Sequence, residues 1–246
     1  MTRTLPVPGI VSNCDVVASS AGGYTRHAEL NGAARSLIAG AVRTSSAPAG
    51  WIRDSQGDGE VTVAPAAIPA AWMLWDFLNE MYAGVMAYNR NKHEDHRLRL
   101  RFGLAGGDVL IEEGVPRGGD PLVLAARLQN SPAAREATRA LPEVPLVAVV
   151  ADDLYQRVVP HGANGLQPRQ FRGVTVDVND VKVLAWLYVP HSYPPHVGAT
   201  AARPAAPAPP PAQPAPPAAS KFDIRMDRPS GVQIGDNGQM WVGRHE

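Results

Sequence analysis

Trp51-Ile-Arg-Asp-Ser-Gln-Gly-Asp58-Gly-Glu-Val-Thr-Val-Ala64 reads as two short strands, residues 50–54 and 60–64, joined by a tight turn. The glycines of Ser55-Gln-Gly-Asp-Gly59 allow the left-handed backbone that hairpin turns use. On either side of this hairpin the apolar period changes from two to 3.6. Residues 24–42 put Leu30, Ala34, Leu37, Ile38 and Ala41 on one helix face. Residues 68–89 do the same with Trp72, Trp75, Leu78, Tyr82 and Val85. Further out, Pro8-Gly-Ile-Val-Ser-Asn-Cys-Asp-Val-Val17 is a buried strand ending near Asp15. Its counterpart, Arg97-Leu-Arg-Leu-Arg-Phe-Gly-Leu104, alternates basic and apolar, as a strand with one wet face does. Helices at 121–130, 133–141 and 152–158 and strands at 144–150, 173–178 and 182–189 complete the pattern.

Strand, helix, two strands, helix, strand is the order of an α/β (α+β) sandwich with a ferredoxin-like core. The chain has 246 residues, 45% of them hydrophobic, enough for one sizeable domain with tails. Its 23 basic and 23 acidic side chains cancel, so no global field draws it to nucleic acid or to an anionic membrane. One cysteine, Cys14, excludes an internal disulfide and every multi-cysteine metal site. The N-terminus lacks the apolar run of a signal peptide, and no stretch reaches the ~20 apolar residues of a spanning helix. These features together predict a soluble, cytoplasmic protein.

Asp15 ends the first strand and Asp58 sits in the hairpin between the second and third. In a ferredoxin-like sheet those strands are neighbours, so the two carboxylates reach one place, and hard divalent ions prefer such oxygen ligands. Each has a plainer role open to it, Asp15 as a cap and Asp58 as a turn residue. Between Asp15 and the first helix, the small-residue loop Ala18-Ser19-Ser20-Ala-Gly22-Gly23 offers backbone amides to an anion such as phosphate. A second segment, Gly119-Asp-Pro-Leu-Val123-Leu-Ala-Ala-Arg127-Leu128, opens a helix on which Val123 and Arg127 lie one turn apart on the same face. His93 and His96 fall in a polar connection and read as a solvated loop, and Trp72 and Trp75 read as core or interface residues.

With these residues in place, 5–190 resembles the catalytic domain of class III adenylate and guanylate cyclases. The resemblance implies the class III nucleotide cyclase fold, a homodimer, a nucleoside triphosphate ligand, and Mg²⁺ or Mn²⁺ held by Asp15 and Asp58. It implies that Ser19, Ser20, Gly22 and Gly23 receive the triphosphate and that Arg127 reaches the reacting phosphate across the dimer. The chain also departs from the family. Val123 stands where the resemblance expects an Asn, Asp54 where it expects a base-reading Lys, and Pro116 where it expects that Lys's polar partner. Lys182 is out of register for the terminal phosphates. Each lost transition-state donor costs ~3–4 kcal/mol, or roughly 10²–10³ in rate. The pattern therefore favours a domain that binds or senses nucleotide. Two alternatives stay open: a working cyclase with an unusual base-reading scheme or a complementing partner subunit, and an interaction module whose site is vestigial.

At about residue 197 the composition shifts, and residues 197–220 are almost entirely Ala and Pro. Prolines fix φ and remove donors, which predicts a linker without helix or ladder, extended and semi-rigid. The tail, 221–246, contains Val232-Gln233-Ile234-Gly235-Asp-Asn237-Gly-Gln-Met240 within 232–240. That run resembles the RIP homotypic interaction motif, whose members assemble into amyloid. Its Val, Gln, Ile, Gly and Met fall in register, while Asn237 falls one position early. The resemblance implies stacking with its own copies, or with a partner protein carrying a similar motif, through a dry Val232–Ile234 zipper and amide ladders.

Overall fold

The computed structural model describes residues 5–57 and 59–197. Asp58, the linker beyond 197 and the interaction motif lie outside the described residues.

The expected strand–helix order is present. β1 (Val7–Val16) leads to α1 (Gly23–Thr44), then β2 (Ile52–Gln56), β3 (Gly59–Pro65), and a long helix made of α2 (Ala70–Trp72), a π-helical turn (Met73–Phe77) and α3 (Leu78–Asn89). β4 (Leu100–Glu112) and β5 (Val115–Gly118) follow, then α4 (Asp120–Gln129), α5 (Pro132–Ala140), β6 (Leu146–Ala151), α6 (Asp152–Val158), β7 (Phe171–Val178) and β8 (Val181–Tyr188). The sheet order is β2-β3-β1-β4-β6-β8-β7, with β5 paired to β4. Its first four strands run antiparallel in the order of a ferredoxin-like core, and β4–β6 is a parallel pair.

Alternation along the strands splits the core between the two faces of the sheet. Ile10, Cys14 and Val16 of β1 join Leu30, Ile38, Phe77, Met81 and Phe102 under α1 and the long helix. Val11 joins Val61, Val63, Ala125, Leu128 and Ala137 under α4 and α5. Burying each large aliphatic side chain contributes about 1.5–3 kcal/mol. Phe77 and Phe102 meet edge to face at 5.8 Å, an arrangement their quadrupoles favour. Trp72 packs edge-on against Trp51 at 6.0 Å, consistent with its reading as a core residue.

Two features differ from the sequence expectation. The strand expected over 97–104 begins at Leu100 and continues to Glu112, then returns as β5 through Glu113 (φ 52°) and Gly114 (φ 75°). Two successive left-handed residues make the tight hairpin turn that matches strand twist. The helix expected over 68–89 takes an extra residue into its turn at 73–77. Asn89 then fixes the return to the sheet, donating to the Leu98 carbonyl at 2.8 Å and accepting from the Leu98 amide at 2.7 Å.

Candidate functional site

Asp15 lies at the C-terminal end of β1, opposite Gly59 of β3 on one side and Arg101 of β4 on the other. The Arg101 guanidinium donates to Asp15 Oδ2 twice, from Nε at 3.1 Å and from Nη2. Both side chains are only about one-sixth exposed, at 16% and 15%. A charge-assisted, doubly donated contact of this kind fixes the carboxylate's orientation. The β1–β4 register puts the two side chains directly opposite each other on one sheet face, while the basic-apolar alternation of 97–104 marked Arg101 only as a residue of the wet face.

The hairpin's flanks are tied to α1 from the other face. Buried Glu60 accepts from Arg53 Nε at 2.5 Å and Nη2 at 3.0 Å, and Arg53 also donates to the Arg35 carbonyl at 2.9 Å. Arg35 in turn donates to the Gly57 carbonyl at 3.1 Å. Cys14 is buried beside this pair, and burial first, then the charges of Asp15 and Glu60, push its thiol well above the usual range. A thiol held protonated in this way is a small core group and not a nucleophile.

In the loop after β1, the Ser19 amide donates to the Val16 carbonyl at 3.3 Å and the Ala21 amide to the Ala18 carbonyl at 3.2 Å. Ser19 is buried and Ser20 exposed. Gly22 (φ 89°) and Gly23 (φ 87°) turn the chain into α1 in the left-handed region, where a side chain would be strained. The loop's carbonyls converge on Arg26, in the second turn of α1. Its Nη1 donates to the carbonyls of Ala18 at 2.7 Å, Ser19 at 3.4 Å and Ala21, while its Nε donates to the Asp95 carbonyl. Sequence reasoning missed Arg26, which carried no motif signal.

On α4, Val123 and Arg127 are both exposed, one turn apart on the outer face. Among the described residues the Arg127 guanidinium makes no hydrogen bond or ion pair. The helix is seated by Ala125 and Leu128, and by Gly103 of β4, which has no side chain to hold it off. Asp54 is half-buried on β2 opposite Val61, Pro116 is buried on β5, and Lys182 is exposed in the β7–β8 hairpin opposite Asp177. The structure thus brings Asp15, the Gly59 end of β3 and the loop before α1 to one end of the sheet.

The connection read as a solvated loop holds one specific cluster. Glu29 accepts from Lys92 Nζ at 2.7 Å, His96 Nδ1 at 2.9 Å and Tyr88 Oη at 2.9 Å. Those hydrogen bonds, from Lys92 first, then His96 and Tyr88, hold its carboxyl down at about 2.

For Mg²⁺ or Mn²⁺, Asp15 offers the carboxylate oxygens that such hard ions take, and the hydrogen bonds from Arg101 hold that carboxylate in one orientation. No group of three or more His, Cys, Asp or Glu that could hold a metal occurs among the described residues. Asp58, the second carboxylate expected from the sequence, lies outside them.

No protein-family model matches the chain, and no curated protein matches it. Solved structures do. A bacterial light-regulated adenylyl cyclase superimposes with TM-score 0.52 at 14% identity, covering 80% of this chain and 56% of its own, so this chain spans little more than half of that protein. An adenylate/guanylate cyclase/hydrolase from Silicibacter pomeroyi gives 0.51 at 20% identity, covering 76% of this chain and 99% of its own. A guanylyl cyclase gives 0.50 at 15% identity, covering 78% and 98%. Among the described residues no helix is long and apolar enough to cross a membrane. The fold of the described residues is therefore the mixed α/β fold of class III adenylyl and guanylyl cyclase domains.

Proposed function

We propose that residues 5–190 form a nucleotide cyclase-like domain that binds a nucleoside triphosphate and signals through binding, not turnover. The observation that carries this reading is the outer face of α4, where exposed Val123 stands one turn before Arg127. An isopropyl group there offers no hydrogen bond to a ribose or a transition state, and the loss of one such donor costs roughly 10²–10³ in rate. Asp15, fixed by Arg101, and Asp58 would hold Mg²⁺ or Mn²⁺, and the ion would neutralise charge on the triphosphate. Ser19, Ser20, Gly22 and Gly23 would face the phosphates. In a homodimer, ligand binding would raise the local concentration of the 221–246 tails, and the 197–220 linker would convert this into motif-driven assembly by avidity.

The test is mass spectrometry of the full chain incubated with each nucleoside triphosphate and Mn²⁺, alongside calorimetry, with Asp15→Ala as control. Binding lost in the variant, without cyclic product from the native chain, is the expected result. Cyclic product that disappears in Asp15→Ala would instead make the protein a working cyclase. Absence of any binding would leave the site vestigial.

A further inference from the structure

A cleft of about 540 Å³ opens between the last turns of α3 and the connection from α5 to β6. This is within the range of small-molecule sites, roughly 300–1,000 Å³. Its walls combine Met86, Pro142 and Pro145 with three arginines, Arg90, Arg97 and Arg99. Arg97 and Arg99 come from the alternation Arg97-Leu-Arg-Leu-Arg101, whose third arginine is spent on Asp15.

The charge in this cleft is poorly compensated. Arg99 is half-buried, and the hydrogen bonds it donates go to carbonyls alone: Leu141 at 2.9 Å, Val144 at 3.3 Å and Thr138. Burial pushes its guanidinium down from the ordinary range, against the pull of Glu143. Among the described residues that line the cleft the one carboxylate is Glu143, largely exposed and 3.7 Å from Arg97. The Arg90 backbone N–H closes α3 on the Ala87 carbonyl at 3.4 Å, but among the described residues its guanidinium has no hydrogen bond or ion pair. Three guanidinium groups against one carboxylate leave a net positive lining, and half-buried charges are expensive unless paired. Beside them Met86 is 48% exposed, an apolar side chain left uncovered next to a cationic rim.

We propose that this cleft binds a small anion carrying an apolar body. The carboxylate or phosphate of such a ligand is taken by Arg90 and Arg97 over Arg99, and its apolar part covers Met86 and the two prolines. Guanidinium forks suit both headgroups. This site is separate from the one around Asp15 and does not depend on the nucleotide reading.

The test is a chemical-shift titration of the ¹⁵N-labelled full chain with octanoate and with octyl phosphate, using 1-octanol and inorganic phosphate as half-ligands. The expected result is saturable shifts at the amides of residues 86–90 and 97–99, with Kd about millimolar for the amphiphiles and much weaker for either half. The tighter of the two amphiphiles identifies the headgroup. Arg90→Gln and Arg97→Gln, at exposed positions that leave the fold intact, should each weaken binding about tenfold. Ala87→Trp, which keeps every charge but fills the cleft, should abolish it. Absence of saturable shifts, octanol binding as tightly as octanoate, inorganic phosphate binding as tightly as octyl phosphate, or affinities unchanged in the three variants would each overturn the proposal.

Discussion

Gly103→Ala tests how α4 is seated. A Cβ at position 103 would lie 1.9 Å from the Ala125 carbonyl oxygen and 2.6 Å from the Gln129 nitrogen. Both are backbone atoms of α4, so no rotamer change relieves the clash. Moving from 1.9 Å to the 3.4 Å at which ordinary contact begins requires a retreat of about 1.5 Å. That displacement would pull Ala125 and Leu128 out of the packing they share with Val11, Val147 and Val149. Overpacking costs about 1–3 kcal/mol, and a clash against rigid backbone belongs at the top of that range, about 3 kcal/mol. For a domain of this size that corresponds to a drop in Tm of roughly 6–12 °C. Gly32→Ala is the matched control. It lies within α1 with nothing inside 4 Å of the added methyl, so it should stabilise by about 0.5–1 kcal/mol. Thermal unfolding of the three chains by circular dichroism reads both effects. A Gly103→Ala melting curve superimposable on that of the native chain would refute the close approach of α4 to β4.

Three further expectations follow from the site. Val123→Asn places a polar group one turn before Arg127, a donor worth roughly 10²–10³ in rate, and should bring cyclic product into view where the native chain yields none; no product from the variant in the mass-spectrometric assay would mean this face of α4 does not meet a reacting phosphate. Arg101→Met leaves Asp15 without its guanidinium in a largely buried setting and should destabilise by about 3 kcal/mol, measured by urea unfolding. The Glu29 carboxyl is lowered from 4.5 to about 2 in the folded chain, so its contribution is complete above 4.5 and is lost as pH falls through about 2. Glu29→Gln should therefore flatten the decline in stability between pH 4.5 and 2, and an identical acid limb in the variant would show that the Lys92–His96–Tyr88 cluster contributes nothing.

The sequence was most informative where one periodicity ran uninterrupted. Residues 8–17 alternate under two buried faces and form β1 at Val7–Val16, and the hairpin glycines mark the junction of β2 and β3. β5 was not legible because Pro116, usually a strand breaker, sits in a short edge ribbon paired, among the described residues, to β4 alone. The extension of β4 through Gly106 and Gly107 was hidden for a similar reason, since paired glycines read as a strand's end. At the site, the chain position of Asp15 was readable and its partner was not. The Asp15–Arg101 contact joins residues far apart in sequence, and alternation alone assigns Arg101 to a wet face without saying what stands across from it. Arg26 was invisible for a different reason: it serves carbonyls, which any arginine can do.

The π-helical turn at Met73–Phe77 has a consequence for how the gene for this protein can change length. A π turn accommodates one residue more than an α turn, so the long helix carries a spare residue between Ala70 and Asn89. Deleting one residue inside 73–77 would let the turn relax to α geometry while Met81 and Val85 keep their direction toward the core. The same deletion between Leu78 and Gly84 would rotate every later side chain by about 100° and carry Val85 out to solvent.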